Sequence, residues 1–236
     1  VLHALAFALL PAVAAVVGAV IASFRPPTPS VRSYIQHLAA GVVFSVVAVE
    51  LLPDIMSRNG AYVQVVVGFA VGVISMLAVK ALSHRLEERG DEKPLGLLAG
   101  VAIDILLDGF LIGVSFAAGA QEGRLLTFAL TLELLSLGLA VATALGRREE
   151  DRRKAILTSV LLFSIIVMGA ALGSVLLRFI SPSLLEVFLS FGLAALLYLV
   201  TEELLVEAHK APETPAATGM FFVGFLIFLL LGMVGT

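Results

Sequence analysis

Ile103-Asp104-Ile105-Leu106-Leu107-Asp108-Gly109 lies near the middle of the chain, inside an apolar stretch that runs from Pro94 to Ala120. Residues four apart share one face of a helix, so Asp104 and Asp108 set two like charges side by side in a segment that is otherwise hydrocarbon. An ionisable residue inside a membrane span marks a functional site by default, and an acid pair without a basic neighbour requires protons or a bound cation. The length of the stretch therefore speaks for the fold, and the acids within it speak for the function.

The rest of the 236 residues agrees: 60% are hydrophobic and only 14% charged, with a mean hydropathy of +1.08. Soluble domains of this size do not have such a composition. The expected fold is an all-α polytopic membrane protein, with residues 1–236 forming a single transmembrane domain. The chain has no cysteine, which excludes disulfide frameworks, thiolate metal sites and thiol catalysis. Net charge is −3, and the basic residues cluster beside span ends rather than along a stripe, so no nucleic-acid partner is expected. The N-terminus begins inside an apolar run without a basic leader region or a small-residue cleavage site. That pattern predicts a first span, with a few residues missing before it, rather than a cleaved signal.

Crossing about 30 Å of hydrocarbon takes about 20 helical residues. Eight segments meet or approach this length: Leu2–Phe24, Gln36–Ile55, Ala61–Leu82, Pro94–Ala120, Leu125–Leu145, Ile156–Ile180, Leu184–Val206 and Thr218–Val234. Turn-forming residues fill the gaps, among them Arg25-Pro26-Pro27, Pro53-Asp54, Asn59-Gly60, Gly90 to Pro94, Ser181-Pro182-Ser183 and Pro212 to Pro215. Alternate loops carry unequal numbers of Lys and Arg. One side holds twelve, from Arg25, Arg32 and Lys80 through Arg85, Arg89, Lys93, Arg147, Arg148, Arg152, Arg153 and Lys154 to Lys210, against Arg58, Arg124 and Arg178 on the other. The positive-inside rule then puts both termini outside. No Lys or Arg falls in the middle of a span, so acids there are expected to lack a salt-bridge partner.

Those acids are distributed by depth. At 1.5 Å per residue, Asp104 and Asp108 fall near the middle of the fourth span and Glu133 near the middle of the fifth. Glu50 and Asp54 lie toward the outer end of the second, and Glu202, Glu203, Glu207 and His209 toward the inner end of the seventh. Outer, midplane and inner acids together describe a cation path. A weak internal repeat accompanies them: Val49-Glu50-Leu51-Leu52-Pro53-Asp54 closes the second span and Glu202-Glu203-Leu204-Leu205-Val206-Glu207 the seventh. These two spans cross in opposite directions, which predicts an inverted repeat of spans one to three and six to eight around spans four and five. His3 and His37 near span ends are expected to be structural, and His84 to lie on a solvated charged face. The phenylalanines of the last span, Phe221, Phe222, Phe225 and Phe228, are expected to face lipid or to pack.

With eight spans, outside termini and these phrases, the chain resembles the ZIP family of divalent metal transporters over nearly its whole length. Ala39-Ala40-Gly41-Val42-Val43-Phe44 through Asp54 is similar to the family's second span, and Glu202-Glu203-Leu204-Leu205-Val206-Glu207-Ala208-His209 to its seventh. The fourth-span motif His-Asn-x-Pro-Glu-Gly is matched by Asp104 to Gly109, so Asp104 stands at the metal-binding His and Asp108 at the metal-binding Glu. In the fifth span Glu133 takes the first ligand position, while Leu137 replaces a later Glu. Met168-Gly169 is the best match to the sixth-span Glu-Pro pair. Positions expected at a second metal of the family's binuclear centre thus hold Ile105, Leu134 and Met168, none of which offers an oxygen.

The resemblance implies a divalent-metal transporter, not an enzyme, that moves a cation into the cytoplasm by alternating access of one helix bundle against another. It also implies a homodimer in the bacterial inner membrane, with the lipid bilayer as its surroundings and no cofactor other than the transported ion. Asp104, Asp108 and Glu133 would bind the metal, Glu50 and Asp54 would lie on the outer path, and Glu202, Glu203, Glu207 and His209 on the inner. Carboxylate oxygens suit Mn²⁺, Mg²⁺ or Ca²⁺, whereas the family adds Zn²⁺ and Fe²⁺. A rival reading is a transport-inactive ZIP-like metal-binding or regulatory protein, favoured by the missing prolines and second-site ligands. An intramembrane aspartyl protease is disfavoured, because its two aspartates would have to sit on facing helices and Asp104 and Asp108 share one.

Overall fold

The computed structural model describes residues 2–57, 60–89, 95–145, 149–176 and 181–235. Arg58, Asn59, Gly90 to Pro94, Arg147, Arg148, Arg178 and the end of the sixth span at Ile180, on which parts of the loop and charge reading rest, lie outside the described residues. Among the described residues eight helices are long and apolar enough to cross a membrane: α1 (Leu2–Phe24), α2 (Pro29–Ser57), α3 (Tyr62–Arg85), α4 (Leu98–Phe116), α5 (Ala120–Thr143), α6 (Ile156–Leu176), α7 (Ser183–Ala208) and α8 (Pro215–Met233). The chain is a multi-pass, all-helical protein.

Two of the boundaries that differ from those expected have a clear local reason. α2 starts at Pro29 rather than Gln36: Thr28 is extended and its hydroxyl accepts from the Val31 amide, and Pro29 supplies the preset φ of a first turn. The run Arg32-Ser33-Tyr34-Ile35, read as leading up to a span, therefore lies inside one. Between the fourth and fifth spans the helical backbone breaks at Gly119. The Gln121-Glu122-Gly123-Arg124 stretch, expected as a loop, becomes the first turn of α5. Glu122 there complements the positive end of the helix dipole.

The helices pair closely in four combinations: α1 with α5, α4 with α6, α2 with α8, and α3 with α7. Glycine is the reason in each. A Cβ at Gly18 would meet the carbonyl oxygen of Leu135, and one at Gly138 that of Ala15, so α1 and α5 interlock backbone to backbone. Gly109 faces Ile166 O and Gly169 faces Leu106 O between α4 and α6; Gly41 faces Phe221 O and Gly224 faces Leu38 O between α2 and α8; Gly68 faces Val187 O between α3 and α7. Small residues let helices approach where lipid supplies no hydrophobic drive between them. Phe44 adds side-chain packing against Phe221 and Phe225, with centroids 5.9 and 6.2 Å away. Phe228 is fully buried while Phe222 is 65% exposed, so the last span's phenylalanines both pack and face outward.

The pairs assemble into two four-helix bundles. α1, α4, α5 and α6 form one; α2, α3, α7 and α8 form the other; they meet mainly where α4 touches α3 and α5 touches α2. In the second bundle, α2 and α7 each carry a π-helical turn, at Val47–Leu51 and Leu199–Leu204. These turns hold the first residues of the two repeated Glu-Leu-Leu phrases. A π turn inserts a residue into the helical register and re-aims the side chains that follow, a feature frequent at functional sites.

Substituting Gly109 by Leu should force α4 off α6, lowering thermal stability in detergent by about 1–3 kcal/mol or preventing folding. Gly219→Leu, at a position with open space within 4 Å, should leave the melting temperature within a degree or two of wild type. Thermal unfolding of the two purified variants checks the pair.

Candidate metal centre

Asp104 and Asp108 project from one face of α4, and Glu133 from the facing side of α5. Each offers one carboxylate oxygen, and the three oxygens lie within 4.8 Å of one another. Divalent ions bind oxygen at about 2.0–2.6 Å, so oxygens gripping one ion are at most about 4–5 Å apart. The observed spacing fits a single cation. All three side chains are buried, at 7, 4 and 2% exposure. Asp108 Oδ2 and Glu133 Oε2 have no hydrogen-bond partner. Among the described residues none of the three pairs with Lys or Arg, as expected from the sequence.

Packing fixes the geometry. Asp108 precedes Gly109, whose contact with Ile166 pins that turn of α4 against α6. Glu133 is followed by fully buried Leu134 and, one turn on, by Gly138 locked against Ala15. Ile105 and Leu134 are fully buried beside the acids and supply only hydrocarbon. Met168 is 65% exposed, on the outer surface of α6, so that position does not face the carboxylates. The sixth-span match therefore contributes to helix packing through Gly169 rather than to a second metal position.

Two cavities approach the acids from one end. The larger, about 690 Å³, is bounded by Arg32, Gln36, Glu133, Ser136, Glu203 and Glu207. The smaller, about 280 Å³, is bounded by Lys80, Asp104, Tyr198, Glu202 and Glu203. Leu137 lines both, so it occupies a place beside Glu133 where an acid would face the same space. Toward the other end Glu50, Asp54, Ser115 and Glu122 line a pocket of about 10 Å³. Buried Leu111, Leu126, Leu189 and Leu196 line a second pocket of about 10 Å³ that adjoins it. The two larger cavities bordering Glu133 and Asp104 therefore lie toward the Arg32–Glu207 end.

The remaining expected path residues all sit on the second bundle. Glu50 and Asp54 share their pocket with Glu122, an acid that sequence reading assigned to a loop. Glu202 accepts a 2.8 Å hydrogen bond from Lys80 Nζ, and Glu207 pairs with both Arg32 and Lys210. Among the described residues the mid-span acids of the triad lack a basic partner, as expected, whereas these two acids near the end of α7 are paired from the helical residues Lys80 and Arg32. His209 lies against the His37 ring, edge-on at 5.2 Å, with Nε2 3.6 Å from Glu213, and lines neither cavity. His37 itself is buried with Nδ1 2.9 Å from its own helix carbonyl at Ser33, a structural arrangement as expected.

Sequence reading passed over Gln36 and Ser136. Both are buried and line the larger cavity, and Gln36 Oε1 has no partner. The Thr28-Pro29 start signal would have placed Gln36 two turns inside α2; Ser136, three residues after Glu133, shares its helical face. Compared with known proteins, the chain matches no protein-family model and no curated protein sequence.

Asp108→Asn and Glu133→Gln keep side-chain shape and remove charge, so each should weaken Mn²⁺ binding by at least about tenfold. Asp54→Asn, outside the triad, should change it by less than about threefold. Isothermal titration of the purified protein with Mn²⁺ reads all three.

Proposed function

We propose that the chain is a divalent-metal transporter of the ZIP type that carries one cation at a time into the cytoplasm by alternating access. The observation that carries this reading is the buried carboxylate triad: three acids at one depth, two with unpartnered oxygens and none with a basic neighbour. Such a group is stable when a cation completes it. The transported ion is the substrate rather than a resident cofactor, and binding must be moderate for it to leave.

The division of labour between the bundles supports movement. All three metal-binding acids are on α4 and α5, in one bundle, whereas Glu50, Asp54, Glu202, Glu203 and Glu207 are in the other. Sliding the first bundle against the second would carry the triad from the Glu50 end to the Glu202 end without rebuilding it. The cavities open toward Glu203 and Glu207 correspond to the stage in which the ion is released. The helix pairings are those an inverted repeat would give: exchanging spans one, two and three with six, seven and eight, and four with five, turns each close pair into another. The matching π turns of α2 and α7 support the same symmetry.

Within this reading both termini are outside, the membrane is the bacterial inner membrane, and the working form is a homodimer. Hard oxygen donors favour Mn²⁺ over ions that prefer imidazole or thiolate, and Zn²⁺ and Fe²⁺ are admitted through the resemblance. One observation favours the second reading, a metal-binding protein without turnover: α4 and α5 run unbroken past the acids, leaving no backbone carbonyl free to ligate.

Proteoliposomes containing a metal-sensitive fluorophore should show saturable Mn²⁺ uptake, and Asp108→Ala should reduce it by at least about tenfold. Binding without flux in the wild-type chain selects the second reading, and unchanged uptake in Asp108→Ala removes Asp108 from the mechanism. Because carboxylates bind metal only when free of protons, Mn²⁺ affinity should fall as pH is lowered. Titration in buffers of different ionisation enthalpy should register proton release on binding.

A further inference from the structure

Gln36 follows Arg32 by one turn of α2, and both border the larger cavity. The Gln36 side chain is buried, at 3% exposure, and its Oε1 accepts no hydrogen bond. An unpaired buried acceptor costs about 1–3 kcal/mol, and a methionine would fill the same helical position without that cost. Donors around the cavity are engaged elsewhere. Arg32 and Lys210 pair with Glu207, and the Thr143 hydroxyl donates to Leu139 O. Arg32 Nε, one turn away, is itself without a partner and does not reach the amide. The protein thus leaves Gln36 a spare acceptor beside a space of about 690 Å³, wide enough for several waters.

Glu133 borders the same space, and its Oε2 is also unpartnered. The two oxygens belong to different bundles, Glu133 to α5 and Gln36 to α2. A divalent ion of the Mn²⁺ or Mg²⁺ kind takes about six oxygens and keeps waters wherever protein supplies none. Three carboxylates giving one oxygen each leave about three positions for water. Ile105 and Leu134 pack hydrocarbon beside the acids, so the larger cavity is the roomiest place for those waters. Water bound to a metal is a stronger donor than free water, and it needs an acceptor.

We propose that Gln36 is a positioning residue for the transported cation: its amide oxygen accepts from a water on the ion held at Glu133. The proposal rests on the transport reading above and adds no second metal position, since Gln36 acts through the hydration shell of the ion at the triad. A neutral oxygen suits this place. It steadies the ion without the extra negative charge that would keep it from leaving. When the triad moves with its bundle, α2 stays behind, so the contact belongs to one stage of the cycle.

The test is isothermal titration of the purified full chain with Mn²⁺. Gln36→Met keeps the volume and removes the acceptor, so binding should weaken by about tenfold. Its melting temperature should be unchanged or raised, because a buried unpaired acceptor is removed with it. Gln36→Glu supplies a charged acceptor and should bind at least about threefold more tightly than wild type. Thr143→Val, in the same cavity wall, should leave the affinity unchanged. In a Glu133→Gln background, Gln36→Met should weaken binding by less than about threefold further, because both act on one ion; independent structural damage would add in full. Gln36→Glu decides the matter alone if Gln36→Met does not fold. Wild-type affinity in Gln36→Met, full additivity with Glu133→Gln, or no gain in Gln36→Glu would overturn the proposal. A wild type that binds no Mn²⁺ would overturn the triad as a metal centre and the role of Gln36 with it. Binding without flux would instead overturn transport alone, leaving the affinities to judge Gln36.

Discussion

Backbone contact between helices is the constraint on which the rest of this structure depends. Lipid gives apolar side chains no reason to leave it, so the helices need another basis for close association. Here it is surface fit at glycine. Gly18 and Gly138, Gly109 and Gly169, Gly41 and Gly224 form reciprocal notches, each opposite a carbonyl of the partner helix. The resulting pairs divide eight helices into two bundles. Because Gly109 follows Asp108 directly, the notch that joins α4 to α6 also holds one of the three converging acids in place.

Electrostatics then separates the bundles by role. The α1–α4–α5–α6 bundle buries Asp104, Asp108 and Glu133 without a basic partner, which is costly unless a cation or protons intervene. The other bundle pairs Glu202 with Lys80, and Glu207 with Arg32 and Lys210. Among the described residues the buried triad therefore has no internal cation competing for its oxygens, whereas Glu202 and Glu207 each have at least one. Unequal pairing of like residues, rather than unequal numbers of acids, distinguishes the two groups.

Much of this was legible before any coordinates. Hydropathy located the eight spans, because the bilayer demands a length of apolar helix that composition alone reveals. The i, i+4 spacing of Asp104 and Asp108 put them on one face, and depth placed Glu133 level with them. Legibility failed at polar helix ends. Arg32, Gln36 and Lys80 looked like loop or boundary residues because hydropathy averages over a window, and a polar residue lining an internal cavity lowers that average just as one in water does. Glu122 was missed for the same reason. The π turns at Val47–Leu51 and Leu199–Leu204 left no trace in residue type, since a shift in hydrogen-bond register requires no special side chain.

The amino-acid sequence by itself determined that this is an eight-span helical membrane protein with an acid pair in its fourth span, since both follow from local spacing and the cost of charge in hydrocarbon. Only the tertiary structure decided which helices pair, that Glu133 converges with the pair to within 4.8 Å, that Met168 faces away, and which acids have cationic partners. Those facts depend on the rotation of each helix about its axis, and that rotation is set by where a glycine on one helix meets a carbonyl on another.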